Sequence, residues 1–297
     1  MLVLVTLVWG ATFVVIKNAL AEITPLLFNA IRMTLAAIAL FVIFRKKLHG
    51  ITRRAIISGF VVGSFLFLGY QFQTTGLRLT TPSKSAFLTG VSVVLVPVFL
   101  ALFWRRRISH WTLFGVICAF VGLYLMTIPS GGALHGINFG DVLSAGCAVG
   151  FAFQIIFTGR ATTHHSFAQI SCVMMASCAT LMWLTIPLIE RPHMQWTPNV
   201  LWAIAVTGFL GTAAAFTIQA WAQQFTPPTH TALIFSLEPV FAWMTSFVVL
   251  GERLGIRAAA GAGLILAGVL ISELLGSAKV SPNEEMEQAD DKLVQSS

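Results

Sequence analysis

The sequence predicts an all-α integral membrane protein with ten transmembrane helices arranged as two inverted five-helix repeats. Three observations predict it: a composition poor in charge, ten apolar segments of spanning length, and a partial self-similarity between the halves. Of 297 residues, 57% are apolar and 10% charged, and the mean hydropathy is +0.84. A soluble domain carries roughly a quarter charged residues to hydrate its surface. This chain lacks that polar surface, and its apolar residues run along almost the whole length rather than forming a single anchor.

A helix that crosses the hydrocarbon core needs about 20 mostly apolar residues, at about 1.5 Å per residue. Segments at about 2–20, 26–44, 55–77, 83–103, 111–128, 139–159, 167–189, 199–220, 229–250 and 256–275 meet that length. Pro25, Pro82, Pro198 and Pro227-Pro228 stand at predicted helix starts, where a missing N–H costs little. Pro129-Ser130-Gly131-Gly132 punctuates the chain between the fifth and sixth segments. The expected organisation is therefore a first repeat over 1–128, a linker over 129–138, a second repeat over 139–275 and a disordered cytoplasmic tail over 276–297. The tail is acidic, with Glu284, Glu285, Glu287, Asp290 and Asp291, and has few large apolar residues. Ala19-Leu20-Ala21 has the small residues of a signal-peptide cleavage site. No positive residue precedes the apolar stretch, however, and Lys17 interrupts it, so a retained first helix is expected.

Orientation follows from the basic residues. With a cytoplasmic amino terminus, the inner loops and tail hold Arg45, Lys46, Lys47, Arg53, Arg54, Arg105, Arg106, Arg107, Arg160, Lys279 and Lys292. The outer loops and adjoining ends hold Arg78, Lys84, Arg191, Arg253 and Arg257. Cytoplasmic loops carry the excess of Lys and Arg, so both termini are expected inside, with most of the bias in the first half. The same placement explains the net charge of +7 without nucleic acid: the basic residues cluster between apolar stretches and no basic face alternates with exposed aromatics. Cys118, Cys147, Cys172 and Cys178 fall inside apolar segments without zinc or C-x-x-C spacing and read as small buried apolar residues. No metal, cofactor or nucleotide motif is found.

Shifting the chain by 146 positions lays Tyr70–Met126 over Phe216–Ser272. Gln73 then meets Gln219, Thr80 meets Thr226, Pro82 meets Pro228, Ala86 meets Ala232, Val94 meets Val240, Arg107 meets Arg253, Gly115 meets Gly261 and Gly122 meets Gly268. A shorter echo pairs Gly10 and Phe13 with Gly150 and Phe153. With five helices per half, the second half enters the bilayer from the opposite side. Such inverted halves recur in transporters, with the substrate near the midplane between them.

Trp9-Gly10-Ala11-Thr12-Phe13, Asn29-Ala30-Ile31-Arg32, Ser236-Leu237-Glu238-Pro239-Val240 and Gly251-Glu252-Arg253-Leu254, followed by a glycine-spaced last helix, resemble the EamA family of the drug/metabolite transporter superfamily. The resemblance covers about residues 1–275 and implies two five-helix repeats and movement of small metabolites across a bacterial inner membrane, often efflux of amino acids or drug-like compounds. One departure is that Arg106-Arg107 stands in the first repeat where the second has Glu252-Arg253.

Several residues are candidates for substrate binding or coupling. Glu238 falls near the midplane, where a carboxylate is costly; it is read either as a proton-coupling or amine-binding group or as a hydrogen-bonded structural carboxyl beside Pro239. Arg32 and Lys17 fall in the outer third and could hold an anionic group, although Lys17 could equally snorkel to the headgroups. Trp9, Thr12, Tyr70, Gln71, Gln73, Gln154, Gln219 and Trp243 are polar or aromatic residues expected to line a cavity or to bond between helices. Gln73 and Gln219, as repeat partners, are expected to face it as a symmetric pair. Pro97 and Pro239 are expected to kink the fourth and ninth helices at positions four residues apart in the repeat register. The glycines of the last helix suit close packing, in the monomer or in a homodimer. His164-His165 reads as a surface pair.

The expected activity is a secondary transporter of small-molecule substrates in the lipid bilayer, not an enzyme. A membrane enzyme acting on a lipid or prenyl substrate would need converging acids, histidines or metal ligands. The acids of the membrane part (Glu22, Asp141, Glu190, Glu238, Glu252 and Glu273) are widely spread. A membrane scaffold or receptor would need an accessible partner surface in place of a central polar cavity.

Overall fold

A computed structural model describes residues 1–77, 79–80, 82–128, 138–250 and 255–276. The expected linker (apart from Asn138), the Gly251–Leu254 motif and the tail beyond Gly276 lie outside the described residues. The described chain is helical: α1 (Leu2–Ala19), α2 (Pro25–Phe44), α3 (Arg53–Leu77), α4 (Pro82–Gly90), α5 (Ser92–Trp104), α6 (His110–Thr127), α7 (Phe139–His164), α8 (Phe167–Ile189), α9 (Pro198–Val206), α10 (Ala215–Ala222), α11 (Pro228–Phe235), α12 (Glu238–Leu250) and α13 (Ile256–Ile271). A 3₁₀ turn, Arg45–Leu48, extends α2. A π-helical segment, Thr207–Ala214, joins α9 to α10, and a second, Ser272–Gly276, ends α13. Eight helical stretches are long and apolar enough to cross a membrane. A shorter apolar helical stretch, Leu2–Thr12, lies in the first segment, and the ninth segment is divided between α11 and α12. Ile38, Phe41, Ile43, Leu102, Phe103, Leu184 and Leu188 are all more than half exposed. Such a display is untenable in water and ordinary against lipid tails. The protein is a multi-pass membrane protein.

Helix ends are closed as a low-dielectric surrounding demands. Pro25, Pro198 and Pro228 open α2, α9 and α11. Asn138 and Asp141 form a reciprocal capping box on α7, and Thr197 accepts a hydrogen bond from the Val200 N–H of α9. The first N–H groups of α2 are met from far along the chain, by the buried Glu190 carboxylate at 3.4 Å from both Leu26 N and Leu27 N.

Two loops fasten distant segments together. The turn after α1 bonds to the one after α8, with Thr24 N donating to His193 O and Gln195 N to Glu22 O, both at 2.9 Å, while the Thr197 hydroxyl donates to the Glu22 carboxylate. At the other end of the bundle the Gln169 amide donates to Lys47 O, and the Lys47 ammonium lies over Phe44 and Phe167. His164 and His165 end α7 at that face. Partial burial, then the charges of His164 and Arg54, lowers the pKa of His165.

Among the described residues, three apolar clusters fill the interior, the smallest around Ile23, Phe28 and Val200; the other two are larger. One lies among α2, α3 and α8 around Met33, Leu66, Met174 and Met182. The other lies among α5, α6, α7, α11 and α13 around Val96, Leu123, Ile156, Leu233 and Ile265. Helices α6 and α13 come together through glycines in a crosswise pattern. A Cβ on Gly115 would lie 2.5 Å from Gly268 O, and one on Gly122 would lie 2.5 Å from Gly261 O; the reverse contacts have the same length.

The fourth and ninth segments are each divided by a break in the helix. Pro97 lies inside an unbroken α5. The interruption comes earlier, at Val91, just after Gly90, where Val91 N reaches both Phe87 O and Leu88 O. In the ninth segment the break is at Ser236-Leu237, whose N–H groups reach back three residues to Leu233 O and Ile234 O. Glycine's weak helix preference loosens one site; at the other, Pro239 cannot donate to Phe235 O. The two breaks therefore coincide in the 146-residue register, in place of the four-residue offset the prolines suggested.

Adding bulk at the glycine crossing should be costly. Gly115→Val or Gly122→Val forces backbone apart and is expected to destabilise the protein by about 1–3 kcal/mol. A lower midpoint in denaturant unfolding would register this. Gly263→Val, where nothing lies within 4 Å, should leave the midpoint unchanged.

Candidate functional site

The break between α11 and α12 places Glu238 at the first turn of a half-helix, with the free N–H groups and positive dipole end of α12 beside it. This lowers the cost of a carboxylate at membrane depth, and the side chain is half-buried. The counterpart of Glu238 in the 146-residue register is Ser92, which opens α5 after the matching break.

Tyr70 on α3 links Glu238 to Arg32 of α2. Its phenol is within electrostatic reach of both charges and of Cys178 on α8, and within hydrogen-bonding reach of Arg32. The Arg32 guanidinium lies over the Tyr70 ring, 4.5 Å from its centroid, and 5.6 Å from that of Phe28. Desolvated contacts of this kind stabilise a buried cation by about 2 kcal/mol. Arg32 is 5% exposed, and its Nε has no hydrogen-bond partner among the described residues. One turn outward on each helix, Asn29 Nδ2 donates to Thr74 Oγ1 at 3.3 Å. Beyond Thr74 a cavity of about 320 Å³ is lined by Glu22, Thr24, Thr74 and His193 among others.

Trp9 on α1 closes the other side. Its ring packs 4.9 Å from Phe235, at the end of α11, and 5.3 Å from Phe216 on α10. Phe216 in turn meets Tyr70 at 6.3 Å, and Tyr70 meets Phe151 at 5.4 Å. The Trp9 indole donates to Gly211 O at 2.8 Å, inside the π segment. Such wide turns shift carbonyls off the regular ladder and occur often at functional sites. Thr12, one turn along α1, bonds back to its own helix at Val8 O and Trp9 O. Close approach of α1 to α12 depends on Gly10, where a Cβ would sit 2.6 Å from Ala242 N.

The remaining candidates divide. Gln154 and Gln219 are buried and bonded to each other at 3.3 Å, and Gln219 continues to Gln223 at 3.0 Å, which donates to Ile155 O. Gln219 therefore meets Gln154, while its repeat partner Gln73 is half-buried and, among the described residues, has no hydrogen bond to it. Gln71 is buried with neither side-chain polar atom partnered among the described residues. Trp243 is half-buried, five residues beyond Glu238 on α12. The Lys17 side chain lies outside the described residues. Sequence reasoning missed Phe216, Phe235 and Cys178. Phe216 was within reach, because the repeat register places it opposite Tyr70.

A model of the EamA-like transporter family matches residues 1–128 and 138–274. The chain belongs to the EamA-like transporter family. Among relatives of this EamA chain, an uncharacterized transporter of Archaeoglobus fulgidus is 33% identical, over 92% of this chain and 84% of its own length. A protein of Salmonella typhimurium, named a probable amino-acid metabolite efflux pump, is 25% identical over 91% of this chain and 92% of its own. A crystal structure 16% identical in sequence superposes with a TM-score of 0.78 over 92% of this EamA chain and 96% of its own, which establishes likeness of fold. The family and its named relatives are transporters, and the enzyme reading receives no support from them.

Replacing Trp9 by Phe keeps an aromatic ring against Phe216 and Phe235 but leaves Gly211 O without its donor. The expected cost is about 1 kcal/mol, the scale of an interhelical hydrogen bond in a membrane. It should appear as a small fall in the unfolding midpoint, with Trp9→Ala losing several times more.

Proposed function

We propose that this protein is a secondary transporter that exports zwitterionic or amphipathic metabolites, amino acids foremost, across the inner membrane by alternating access. The single observation that carries the reading is the pair of opposite charges, Arg32 and Glu238, that both act on the Tyr70 phenol, beside the aromatic cluster of Trp9, Phe216 and Phe235. A carboxylate on the guanidinium and an ammonium on Glu238 would use both charges, and the aromatic wall would take an apolar side chain. The unpartnered Arg32 Nε is a donor available for such a ligand. The name of the Salmonella typhimurium relative agrees with this class.

The architecture we infer is ten helices in two inverted halves, 1–128 and 139–275. Helices α4 with α5 form one broken span and α11 with α12 another, and both termini are cytoplasmic. Two features support the pseudo-two-fold. Gly115 and Gly122 meet Gly268 and Gly261, the crossed partners in the repeat register, as two elements related by a two-fold must do. Tyr70 and its counterpart Phe216 touch each other. Two nearly equivalent halves supply two nearly equivalent packings, which is what exposing one site alternately to either side requires.

Counterflow in proteoliposomes tests this reading. Liposomes loaded with an unlabelled amino acid should accumulate the labelled form, saturably, above empty liposomes. Arg32→Ala and Glu238→Gln should each lower that accumulation at least roughly ten-fold, the effect of one lost charge-assisted contact of about 1.4 kcal/mol or more, while the proteins remain folded. Glu238→Gln should also remove any response to an imposed proton gradient. Full activity in either variant would refute the assigned roles.

A further inference from the structure

An apolar groove of about 510 Å³ runs along the outside of the bundle between α5 and α6, remote from the central site. Pro97, Val98, Leu102, Ile108, Leu113 and Ile117 are among its walls, and every lining residue is apolar. Val98, Leu102, Leu113 and Ile117 are 45–68% exposed, so the groove opens toward the lipid. One end is closed by the short turn from Arg105 to Ser109, which puts three successive arginines between the lining residues Leu102 and Ile108. Arg105 and Arg107 are exposed and, among the described residues, neither is paired with a carboxylate. From Ile23 to Gly140 the sequence contains no Asp or Glu at all, so this half offers its arginines no acidic neighbour along the chain.

The backbone adds an independent observation. Arg105 ends α5 with φ 50° and ψ 29°, and its N–H returns to Leu100 O. This is the left-handed helix-ending position that glycine fills without strain and a residue with a side chain does not. An arginine kept at a glycine position, charged and unpaired at the mouth of an apolar channel, matches a ligand with an anionic head and a hydrocarbon chain.

We propose that this groove seats an anionic phospholipid, one acyl chain lying between α5 and α6 and the headgroup phosphate on Arg105 and Arg107. The choice of the cytoplasmic leaflet rests on the orientation inferred above; the binding itself does not, and its test reads lipid rather than transport. The purified full chain is presented with equimolar phosphatidylglycerol and phosphatidylcholine of identical acyl chains, and retained lipid is counted by native mass spectrometry. The wild type should retain phosphatidylglycerol in roughly ten- to thirty-fold preference, as two arginines near a phosphate predict. In Arg105→Gln/Arg107→Gln the ratio should fall toward one while total lipid is kept. Ala101→Trp, which fills the groove, should lower the total. Arg105→Gly relieves the left-handed strain, so it should melt no lower than the wild type in neutral detergent and still lose part of the preference. A wild-type ratio near one would overturn the proposal, including the case in which the acidic residues of 284–291 occupy the arginines instead. So would a preference that survives the double substitution, since the charge would then act from another loop.

Discussion

Hydrocarbon offers no hydrogen-bond partner, and this constraint governs where the chain may depart from a regular helix. An unanswered N–H or C=O costs several kcal/mol there, so irregular backbone survives only where protein surrounds it. The break at Ser236-Leu237, next to Trp9 and Glu238, obeys this, as does the π segment, whose Gly211 carbonyl receives the Trp9 indole. Glu190, reaching from the end of α8 to the first N–H groups of α2, shows the same rule at a helix end. At the π segment and at the start of α12, irregular backbone thus lies beside a polar side chain, Trp9 in one case and Glu238 in the other.

Two charges inside the bundle are met by aromatic faces in one case and a helix end in the other. Arg32 is covered by Tyr70 and Phe28, and Glu238 sits at the start of α12 where peptide dipoles favour it. The aromatic cover leaves the Arg32 Nε without a hydrogen-bond partner among the described residues. The site can therefore exist empty at tolerable cost and still hold directional contacts in reserve. The rings also span the molecule, because Trp9 packs with the cluster around α2, α3 and α8, and Phe235 with the cluster around α6, α7 and α13. A ligand wedged between them would touch both bodies at once.

Much of the fold was legible because its signal is one-dimensional. Apolar length locates the spans, proline marks their starts, and the 146-residue shift pairs Gly115 and Gly122 with the glycines of the last helix. The shift could not say that these glycines meet crosswise, since that depends on how two helices face each other in space. The helix breaks were misread for a related reason. Proline is a conspicuous breaker, but Pro97 is tolerated inside α5, whereas the turn at Val91 follows from Gly90 and from packing around it. Within the site, Arg32, Tyr70, Glu238 and Trp9 stood out as polar or amphipathic residues in apolar helices. Phe216 and Phe235 could not, because a phenylalanine in a membrane helix looks the same whether it faces lipid or a cavity. Repeat position alone did not indicate that Gln219 bonds to Gln154, because side-chain direction around a helix is not fixed by repeat position.

The matched breaks at Val91 and Ser236-Leu237 open helices that start with different residues, Ser92 in one and Glu238 in the other. On the proposed two-half architecture, the geometry of the break is kept in both halves and the carboxylate in one. In this chain the first copy holds a single carboxylate, Glu22, and that one is engaged with Thr197 in the turn at a helix end. If the proposed halves share the motion almost equally, a carboxylate that couples protons to it would belong to the second half. Structural symmetry and energetic symmetry have come apart, and a machine with one ratchet tooth can still turn in a definite direction.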